Sequence, residues 1–394
     1  MFFIFHNIIL KRIFFNEKRK FYIKTWELFL DGDIMKGYAI IKTGEHGWID
    51  VEEPVAGPLD AIYKPIAVVP CSSDTHAMHA GMGPAGPLVN RIMGHEAVAE
   101  VVEVGDLVTR FKPGDKVVVP CTTPDWAGKP NLQEKGTNNA HDFDVMTSFK
   151  FLIQEDGVFA ERFRVNNADN NMVLLPEGMD LADALMVTDM MSTGFYGAEM
   201  ADVKIGDTVV VFGIGSVGLM AVAGAQLMGA GKIYATGTRQ NCADLAMEFG
   251  ATEIISYKDG NTVEQILEKE GGRKVDCVII AGGNCGSMNE ALQLVKPNGA
   301  IGSINFYDLE DVFTIPAFEW GLGMADVTIR GGFCPGGALR AEKLLNLIKY
   351  DRIKPGKAFN YEFYGFDKIK DAFILMDEKP RDLIKPILYI DDLD

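Results

Sequence analysis

The sequence lacks several features that would assign it to other classes of protein. The apolar run over residues 1–10 stops at Lys11 and Arg12, far short of the about 20 residues that a membrane-spanning helix needs. Basic residues are scarce: Lys plus Arg is 38 against 55 Asp plus Glu, a formal net charge of -17. Because such a chain repels phosphate backbones and anionic lipid surfaces, we expect neither nucleic acid nor a membrane as a partner.

Cysteine is also sparse. Six cysteines in 394 residues are too few and too dispersed for the disulfide framework of a small secreted protein. We therefore expect a reducing, cytoplasmic setting. The six are Cys71, Cys121, Cys242, Cys277, Cys285 and Cys334.

Residues 1–34 differ in composition from the rest of the chain and lack the marks of a secretory signal. A signal peptide carries its positive charge before the apolar run and ends in small residues, whereas here Lys11 and Arg12 follow the run. Three interpretations are open: a basic transit peptide, an ordered appendage, or sequence translated upstream of a start at Met35. We favour the third, because a strand pattern begins at Met35.

Residues 208–228, past the midpoint of the chain, contain the clearest motif in the sequence. Residues 208–212 are β-branched or aromatic and predict a buried strand, and residues 219–228 predict a helix. Between them Gly213, Gly215 and Gly218 have the G-x-G-x-x-G spacing of a dinucleotide loop. Glycine clusters also form ordinary turns, but the strand before and the helix after favour a nucleotide site, with the pyrophosphate at the helix N-terminus. The loop's other candidate contacts are Ile214, Ser216 and Val217.

The next predicted strand of this region is not followed by the acidic residue of an NAD site. NAD-binding proteins place Asp or Glu about 20 residues after the glycines, where it binds the ribose 2′-hydroxyl. Here residues 232–236 are followed by Gly237, Thr238 and Arg239. A hydroxyl and a guanidinium suit a 2′-phosphate, since arginine binds phosphate through a rigid fork of donors. We therefore predict NADP; the alternative is that Arg239 only caps a loop.

The order of predicted elements indicates an α/β protein of two domains. From residue 35 to about 165, short strands and turns predict a compact, barrel-like β domain. From residue 207 onwards, strands and helices alternate, which predicts a doubly wound parallel sheet. A helical stretch over 180–200 lies between them, and a late helix (339–350) and strand (384–390) are expected to return to the first domain. The predicted divisions are an N-terminal extension at 1–34, a β-rich catalytic domain at 35–188 and 334–394, and a nucleotide-binding domain at 189–333.

The first domain contains residues of the types that bind metals. Cys71 follows a predicted strand, and His95 and Glu96 follow an apolar pair. A thiolate, an imidazole and a carboxylate suit Zn²⁺. Taken alone, the residue types favour a buried apolar role for Cys71 and a loop histidine with satisfied hydrogen bonds for His95 over metal binding.

Several motifs in one order resemble the zinc-containing medium-chain alcohol dehydrogenases. They are residues 70–74 (PCSSD), 94–96 (GHE), 112–115 (KPGD) and the glycine loop. Within that family, residues 120–126 (PCTTPDW), 188–195 (TDMMSTGF) and 332–337 (GFCPGG) look like those of the NADP-dependent secondary alcohol dehydrogenases of anaerobes. The resemblance runs from Met35 to Ile390 and implies a Rossmann domain beside a GroES-like catalytic domain.

The resemblance implies a role for each metal-type residue. Cys71, His95 and Asp189 would be the zinc ligands, and Glu96 matches a residue that approaches the metal when water or substrate leaves. Many relatives use cysteine in place of Asp189. The alternative for Asp189 is a carboxylate on a helix surface, although its neighbours are largely apolar.

The resemblance also implies the reaction and the cofactor contacts. Ser73 matches the hydroxyl that takes the alcohol proton, and His76 the next member of the relay to solvent. Gly237, Thr238 and Arg239, together with Tyr257, match the residues that hold the 2′-phosphate. A hydride would pass between the carbinol carbon of a short alcohol and NADP, and relatives of this kind form homotetramers.

Three departures from the family pattern are visible. Ala99 replaces a usual glycine, and Phe149 stands where many relatives carry a pocket tryptophan, which leaves the substrate range open. The four-cysteine lobe of a second, structural zinc is missing, because Cys121 is alone in that region. We expect one catalytic zinc per chain.

The sequence thus predicts a zinc- and NADP-dependent secondary alcohol dehydrogenase. One alternative is a related zinc-dependent dehydrogenase that acts on polyols or reduces aldehydes. Another is a zinc-free oligomer that binds NADP without dehydrogenase activity, although the joint presence of Cys71, His95 and Asp189 with Ser73 and His76 speaks against it.

Overall fold

The structure is a computed structural model that describes residues 33–81, 86–126, 150–307, 311–391 and 393. Nearly all of the N-terminal extension lies outside these residues, so its three interpretations stay open. Phe149, the predicted pocket residue, also lies outside them.

The chain first forms a small antiparallel sheet. Strand β1 (Ile34–Lys42) pairs on one side with β2 (Glu45–Glu52) and on the other with β4 (Arg91–Ile92). Side chains of β1 such as Tyr38 and Ile40 are fully buried. This sheet covers one side of the first domain's core.

A second, larger sheet carries the rest of the first domain. Its strand order is β15-β16-β3-β5-β6-β8, and β7 pairs with β3. The pairing of β16 with β3 is antiparallel and brings the C-terminal tail back to the first domain, as the sequence predicts. The bounds are β3 (Ala61–Val68), β5 (Ala97–Val104), β6 (Lys116–Val119), β7 (Phe163–Val165), β8 (Val173–Leu174), β15 (Phe359–Tyr364) and β16 (Lys385–Tyr389).

The middle of the chain forms a six-stranded parallel sheet. Its order, β11-β10-β9-β12-β13-β14, is that of a doubly wound nucleotide-binding fold, with the reversal of strand order beside β9. The central strands are buried along almost their whole length, because parallel sheets are covered on both faces. The predicted fold class is confirmed. The bounds are β9 (Thr208–Phe212), β10 (Lys232–Thr236), β11 (Glu253–Ile255), β12 (Val275–Ile280), β13 (Val295–Ser303) and β14 (Thr328–Gly331).

Ten α-helices lie among the described residues. They are α1 (Ser72–Ala80), α2 (Ala168–Asn171), α3 (Leu181–Thr188), α4 (Met190–Met200), α5 (Ser216–Leu227), α6 (Gln240–Glu248), α7 (Thr262–Lys269), α8 (Gly286–Leu294), α9 (Ala338–Lys349) and α10 (Ile369–Glu378). No helix in this part of the chain is long and apolar enough to cross a membrane.

The structure differs from the sequence prediction in the helical stretch around Asp189 and in the C-terminal tail. The helical stretch over 180–200 is two helices, α3 and α4, which part at Asp189, where φ is -142° and ψ is -66°. The tail also contains β15 and α10, which the sequence pattern did not reveal. In β15 every second residue is only half buried, so its apolar signal is weak.

Candidate active site

Four metal-ligand side chains from distant parts of the chain converge. One ligand atom from each of Cys71, His95, Glu96 and Asp189 lies within 4.8 Å of the others. Cys71 lies between β3 and α1, His95 and Glu96 lie between β4 and β5, and Asp189 is the break between α3 and α4. The fold therefore brings together the four residues that the resemblance grouped.

The spacing of the donor atoms fits a small tetrahedral ion. Asp189 Oδ2 lies 3.6 Å from His95 Nε2 and 3.9 Å from Cys71 Sγ. Two donors on one tetrahedral zinc stand about 3.4–3.6 Å apart at ordinary bond lengths. Small side-chain movements would bring all three atoms to bonding distance, so the donor set fits zinc in both chemistry and geometry.

Asp74 orients two of these residues, and the sequence analysis missed it. Its Oδ2 accepts a hydrogen bond from the backbone N–H of Cys71 (2.9 Å), and its Oδ1 lies 3.2 Å from His95 Nδ1. A carboxylate on one ring nitrogen leaves the other nitrogen directed at the metal position. The available signal was the carboxylate three residues after Cys71, where a helix begins.

Glu96 is held by one oxygen only. Its Oε1 accepts from Lys385 Nζ at 2.8 Å, and both side chains are buried. Its Oε2 is buried without a hydrogen-bond partner. Burial raises the pKa of Glu96 to about 7, although Lys385 opposes the shift. The other oxygen, Oε1, lies 3.9 Å from His95 Nε2. A buried, unpartnered oxygen on a carboxylate of this cluster is the kind of atom that a cation would satisfy.

His95 and Asp189 shift each other's pKa. Burial alone would lower the pKa of His95, but the carboxylates of Asp74 and Asp189 outweigh it and raise this pKa well above its ordinary value. Burial would raise the pKa of Asp189, yet the hydrogen bond and charge of His95 lower it, helped by Thr193. His95 and Asp189 therefore each stabilise the charged form of the other.

The two predicted relay residues lie on α1 beside this cluster. Ser73 Oγ is 3.3 Å from His95 Nε2, so the hydroxyl borders the metal-ligand atoms. His76 lies one turn later, half buried, with its ring 4.9 Å from that of Phe306 in a T-shaped arrangement. Their order along the relay stays a prediction.

Each glycine of the loop after β9 meets a different steric demand. Gly213 has φ +87°, which favours glycine. A Cβ on Gly218 would lie 1.9 Å from the carbonyl oxygen of Gly213, so the helix packs directly on the turn. Gly215 faces open space, with only Arg239 Nη2 near a Cβ at 3.7 Å. This is the arrangement that leaves backbone room for a pyrophosphate. Among the loop's other residues, Ile214 is buried against Gly237, Ser216 begins α5, and Val217 is partly buried.

The predicted 2′-phosphate residues lie together at the end of β10. Thr238 Oγ1 donates to Tyr257 OH at 3.0 Å, and the Arg239 guanidinium reaches the carbonyl oxygen of Leu383. Arg381 donates in the opposite direction, to the carbonyl oxygen of Thr238 at 2.9 Å. A second guanidinium, from the C-terminal tail, therefore borders this loop, and the sequence analysis did not single it out.

The chain belongs to the zinc-binding dehydrogenases with an alcohol dehydrogenase GroES-like domain. Residues 57–177 match the alcohol dehydrogenase GroES-like domain, and residues 216–349 match the zinc-binding dehydrogenase family. The resemblance stated from the motifs is confirmed.

Named relatives are similar over nearly the whole chain. An NADP-dependent isopropanol dehydrogenase of Thermoanaerobacter brockii is 50% identical over 90% of this chain and 100% of its own. Proteins of the same name from Clostridium beijerinckii and Entamoeba histolytica are each 48% identical over 90% of this chain, and over 100% and 96% of their own.

Solved structures share the fold. Alcohol dehydrogenase TADH from Thermus sp. ATN1 has a TM-score of 0.79 at 26% identity, covering 91% of this chain and 100% of its own. Zinc-dependent alcohol dehydrogenase 2 from Streptococcus pneumonia, in its apo form, has a TM-score of 0.80 at 26% identity over 91% of this chain and 99% of its own.

Proposed function

We propose that this protein is a zinc- and NADP-dependent secondary alcohol dehydrogenase that interconverts short alcohols, isopropanol among them, and their ketones. The observation that carries the proposal is the convergence of Cys71, His95 and Asp189. The names of the relatives that are 48–50% identical agree with it.

We assign Cys71, His95 and Asp189 as the zinc ligands, with Glu96 as a side chain that can reach the metal. A zinc ion held there supplies Lewis-acid polarisation of the substrate oxygen. Asp74 fixes the ring of His95, and Lys385 holds Oε1 of Glu96, while Oε2 of Glu96 has no hydrogen-bond partner. We propose one zinc per chain, because Cys121 is alone in the region where many relatives carry four zinc-binding cysteines.

We assign the transfer of the substrate proton to two residues of α1. Ser73 Oγ, beside His95, takes the proton of the alcohol hydroxyl, and His76 passes it towards solvent. Bound NADP supplies the hydride acceptor. The glycine loop Gly213, Gly215 and Gly218 and the N-terminus of α5 would hold its pyrophosphate, and Gly237, Thr238, Arg239 and Tyr257 would hold its 2′-phosphate.

The proposals for the larger organisation are taken from the sequence. We propose a catalytic domain at 35–188 and 334–394, an NADP-binding domain at 189–333, a cytoplasmic location and a homotetramer. Exposed apolar side chains between β13 and β14 support assembly, since monomers rarely leave such a patch uncovered. β14 is also an edge strand of the parallel sheet.

The test is a metal analysis combined with a substrate panel on the purified full chain. We expect about one zinc per chain and oxidation of propan-2-ol and butan-2-ol with NADP well above that with NAD. Asp189→Asn should lose zinc and activity together, since it removes an anionic ligand. Fewer than about half a zinc per chain in folded protein would contradict the mechanism, and preference for polyols would favour the related polyol dehydrogenase.

A further inference from the structure

Two buried thiols form a second group of metal-ligand atoms around Asp189. Cys121 Sγ and Cys334 Sγ are 3.4 Å apart, and a carboxylate oxygen of Asp189 lies within 4.8 Å of both. The two cysteines are 1% and 2% exposed. The chemistry proposed above uses neither thiol.

Hydrogen bonds to the backbone hold the segments that carry the two thiols close to Asp189. Cys121 follows β6, and its N–H donates to the carbonyl oxygen of Thr188, next to Asp189, at 2.8 Å. The segment after Cys334 is held to α4, because Ser192 Oγ donates to the carbonyl oxygen of Pro335 at 2.9 Å. Both thiols are therefore held beside the ends of α3 and α4 that meet at Asp189.

From this geometry we propose that Cys121, Cys334 and Asp189 form a second cation site, selective for a thiophilic divalent ion such as Cd²⁺ or zinc in excess. The inference goes beyond the proposed function. In the protein without added metal we still expect one zinc.

The distances favour a metal ion over a disulfide. Two thiolates on one tetrahedral zinc stand about 3.8 Å apart at ordinary Zn–S lengths, so 3.4 Å requires only a small separation. A disulfide would require the sulfurs to close to about 2.05 Å. The donor spacing also resembles that of the first cluster, where Asp189 Oδ2 lies 3.6 and 3.9 Å from its neighbours.

The donor types determine which ion enters. Thiolates bind soft ions such as Cd²⁺ and Zn²⁺, and reject Mg²⁺ and Ca²⁺. Each thiol releases its proton to solvent as its sulfur–metal bond forms, so two protons leave and no electrons move. Because the new ion would share Asp189 with the first site, its binding should change the environment of the zinc there and inhibit the enzyme without releasing the zinc.

The experiment adds Cd²⁺ to zinc-loaded protein and measures bound cadmium and zinc after dialysis, together with thiolate-to-cadmium charge-transfer absorbance. We expect one cadmium per chain bound with the zinc retained, a charge-transfer band, and falling alcohol oxidation. Cys121→Ala and Cys334→Ala should each lose this extra equivalent and its band. Cys242→Ala, which removes a buried cysteine of α6, should behave like the unmodified chain.

Three results would overturn the proposal. The first is that the protein binds no cadmium in addition to its zinc. The second is that both alanine variants bind the additional cadmium as the unmodified chain does, and the third is that cadmium replaces zinc one for one. Circular dichroism and thermal unfolding of each variant check that a lost equivalent is not a lost fold. The metal count does not depend on which alcohol is oxidised, so it distinguishes failure of this site from failure of the proposed function.

Discussion

At the scale of single residues, Arg239 links the glycine loop after β9 to the C-terminal tail. Its guanidinium lies near Gly215 and reaches the carbonyl oxygen of Leu383. In a chain of net charge -17, a doubly charged phosphate needs local cations to offset the overall repulsion. Arg239 and Arg381 supply two guanidinium groups at this point from separate parts of the sequence.

Arg239→Gln is expected to weaken NADP binding by about 10–100-fold, because hydrogen bonds to a charged group contribute about 1.5–3 kcal/mol. Binding of NAD, which lacks the 2′-phosphate, should change much less. Titration calorimetry with both cofactors measures this ratio. Arg273→Gln, at an arginine whose side chain is 83% exposed, is the matched control. Equal losses for both cofactors would show that Arg239 acts only through its contact with Leu383.

At the scale of elements, the short helix α2 depends on side-chain hydrogen bonds for its stability. Helix α2 has four residues, too few to be stable alone. Asp169 anchors it: its carboxylate accepts from the N–H and Oγ1 of Thr109 at 2.9 and 2.7 Å, and from the N–H of Arg110 at 2.9 Å. Burial would raise the pKa of Asp169, but these hydrogen bonds outweigh it and lower the pKa below its ordinary value.

The lowered pKa of Asp169 predicts a pH dependence of stability. A carboxyl group whose pKa is lower folded than unfolded stabilises the fold above its unfolded pKa, near 3.9, and this contribution is lost as pH falls through the folded pKa. Asp169→Asn should therefore reduce the free energy of unfolding by about 1–2 kcal/mol at pH 7 and pH 5, with a smaller difference below about pH 4. Urea unfolding measured across this range gives the difference.

The exposed Asp259→Asn is the control, since the carboxylate of Asp259 lies at the surface. Its unfolding midpoint should follow that of the unmodified chain at every pH. A difference for Asp169→Asn that widened on acidification would contradict the role assigned to the hydrogen bonds of Thr109 and Arg110.

At the scale of the whole molecule, the connection between β13 and β14 exposes an unusual amount of apolar surface. Phe318 is 83% exposed, Met324 76% and Leu322 70%. The neighbouring β14 leaves one edge of the parallel sheet without a partner strand among the described residues. An apolar patch beside an open strand edge favours association with another copy of the chain.

Phe318→Asp is expected to reduce the molecular mass in solution from that of a tetramer to that of a smaller species, because a charge would be buried in the interface. Sedimentation velocity at micromolar concentration measures the mass. Ile205→Asp replaces a residue that is 91% exposed in the connection between α4 and β9, and it should leave the assembly intact. An unmodified chain that sediments as a monomer would rule out the homotetramer.

Local patterns in the sequence were sufficient to predict several features of the protein. The strand, glycine loop and helix around Gly213 to Gly218 follow from β-propensity, glycine spacing and apolar content, all of which act over a few residues. The missing acid after β10, with Thr238 and Arg239 in its place, predicts NADP on the same local basis. For Cys71 and His95, by contrast, the residues alone left metal binding undecided, and the family resemblance supplied the grouping with Asp189.

The tertiary structure decided what depends on long-range packing. Cys71 and Asp189 are 118 positions apart, and Glu96 and Lys385 are 289 apart; no local pattern encodes which of many carboxylates or lysines will meet. The break at Asp189, the orientation of His95 by Asp74 and the contact of Cys121 with Cys334 arise only when helices and loops pack together. The sequence by itself determined the glycine loop and the strand and helix on either side of it, because these depend on neighbouring residues. Only the folded chain determined which polar side chains share a buried pocket.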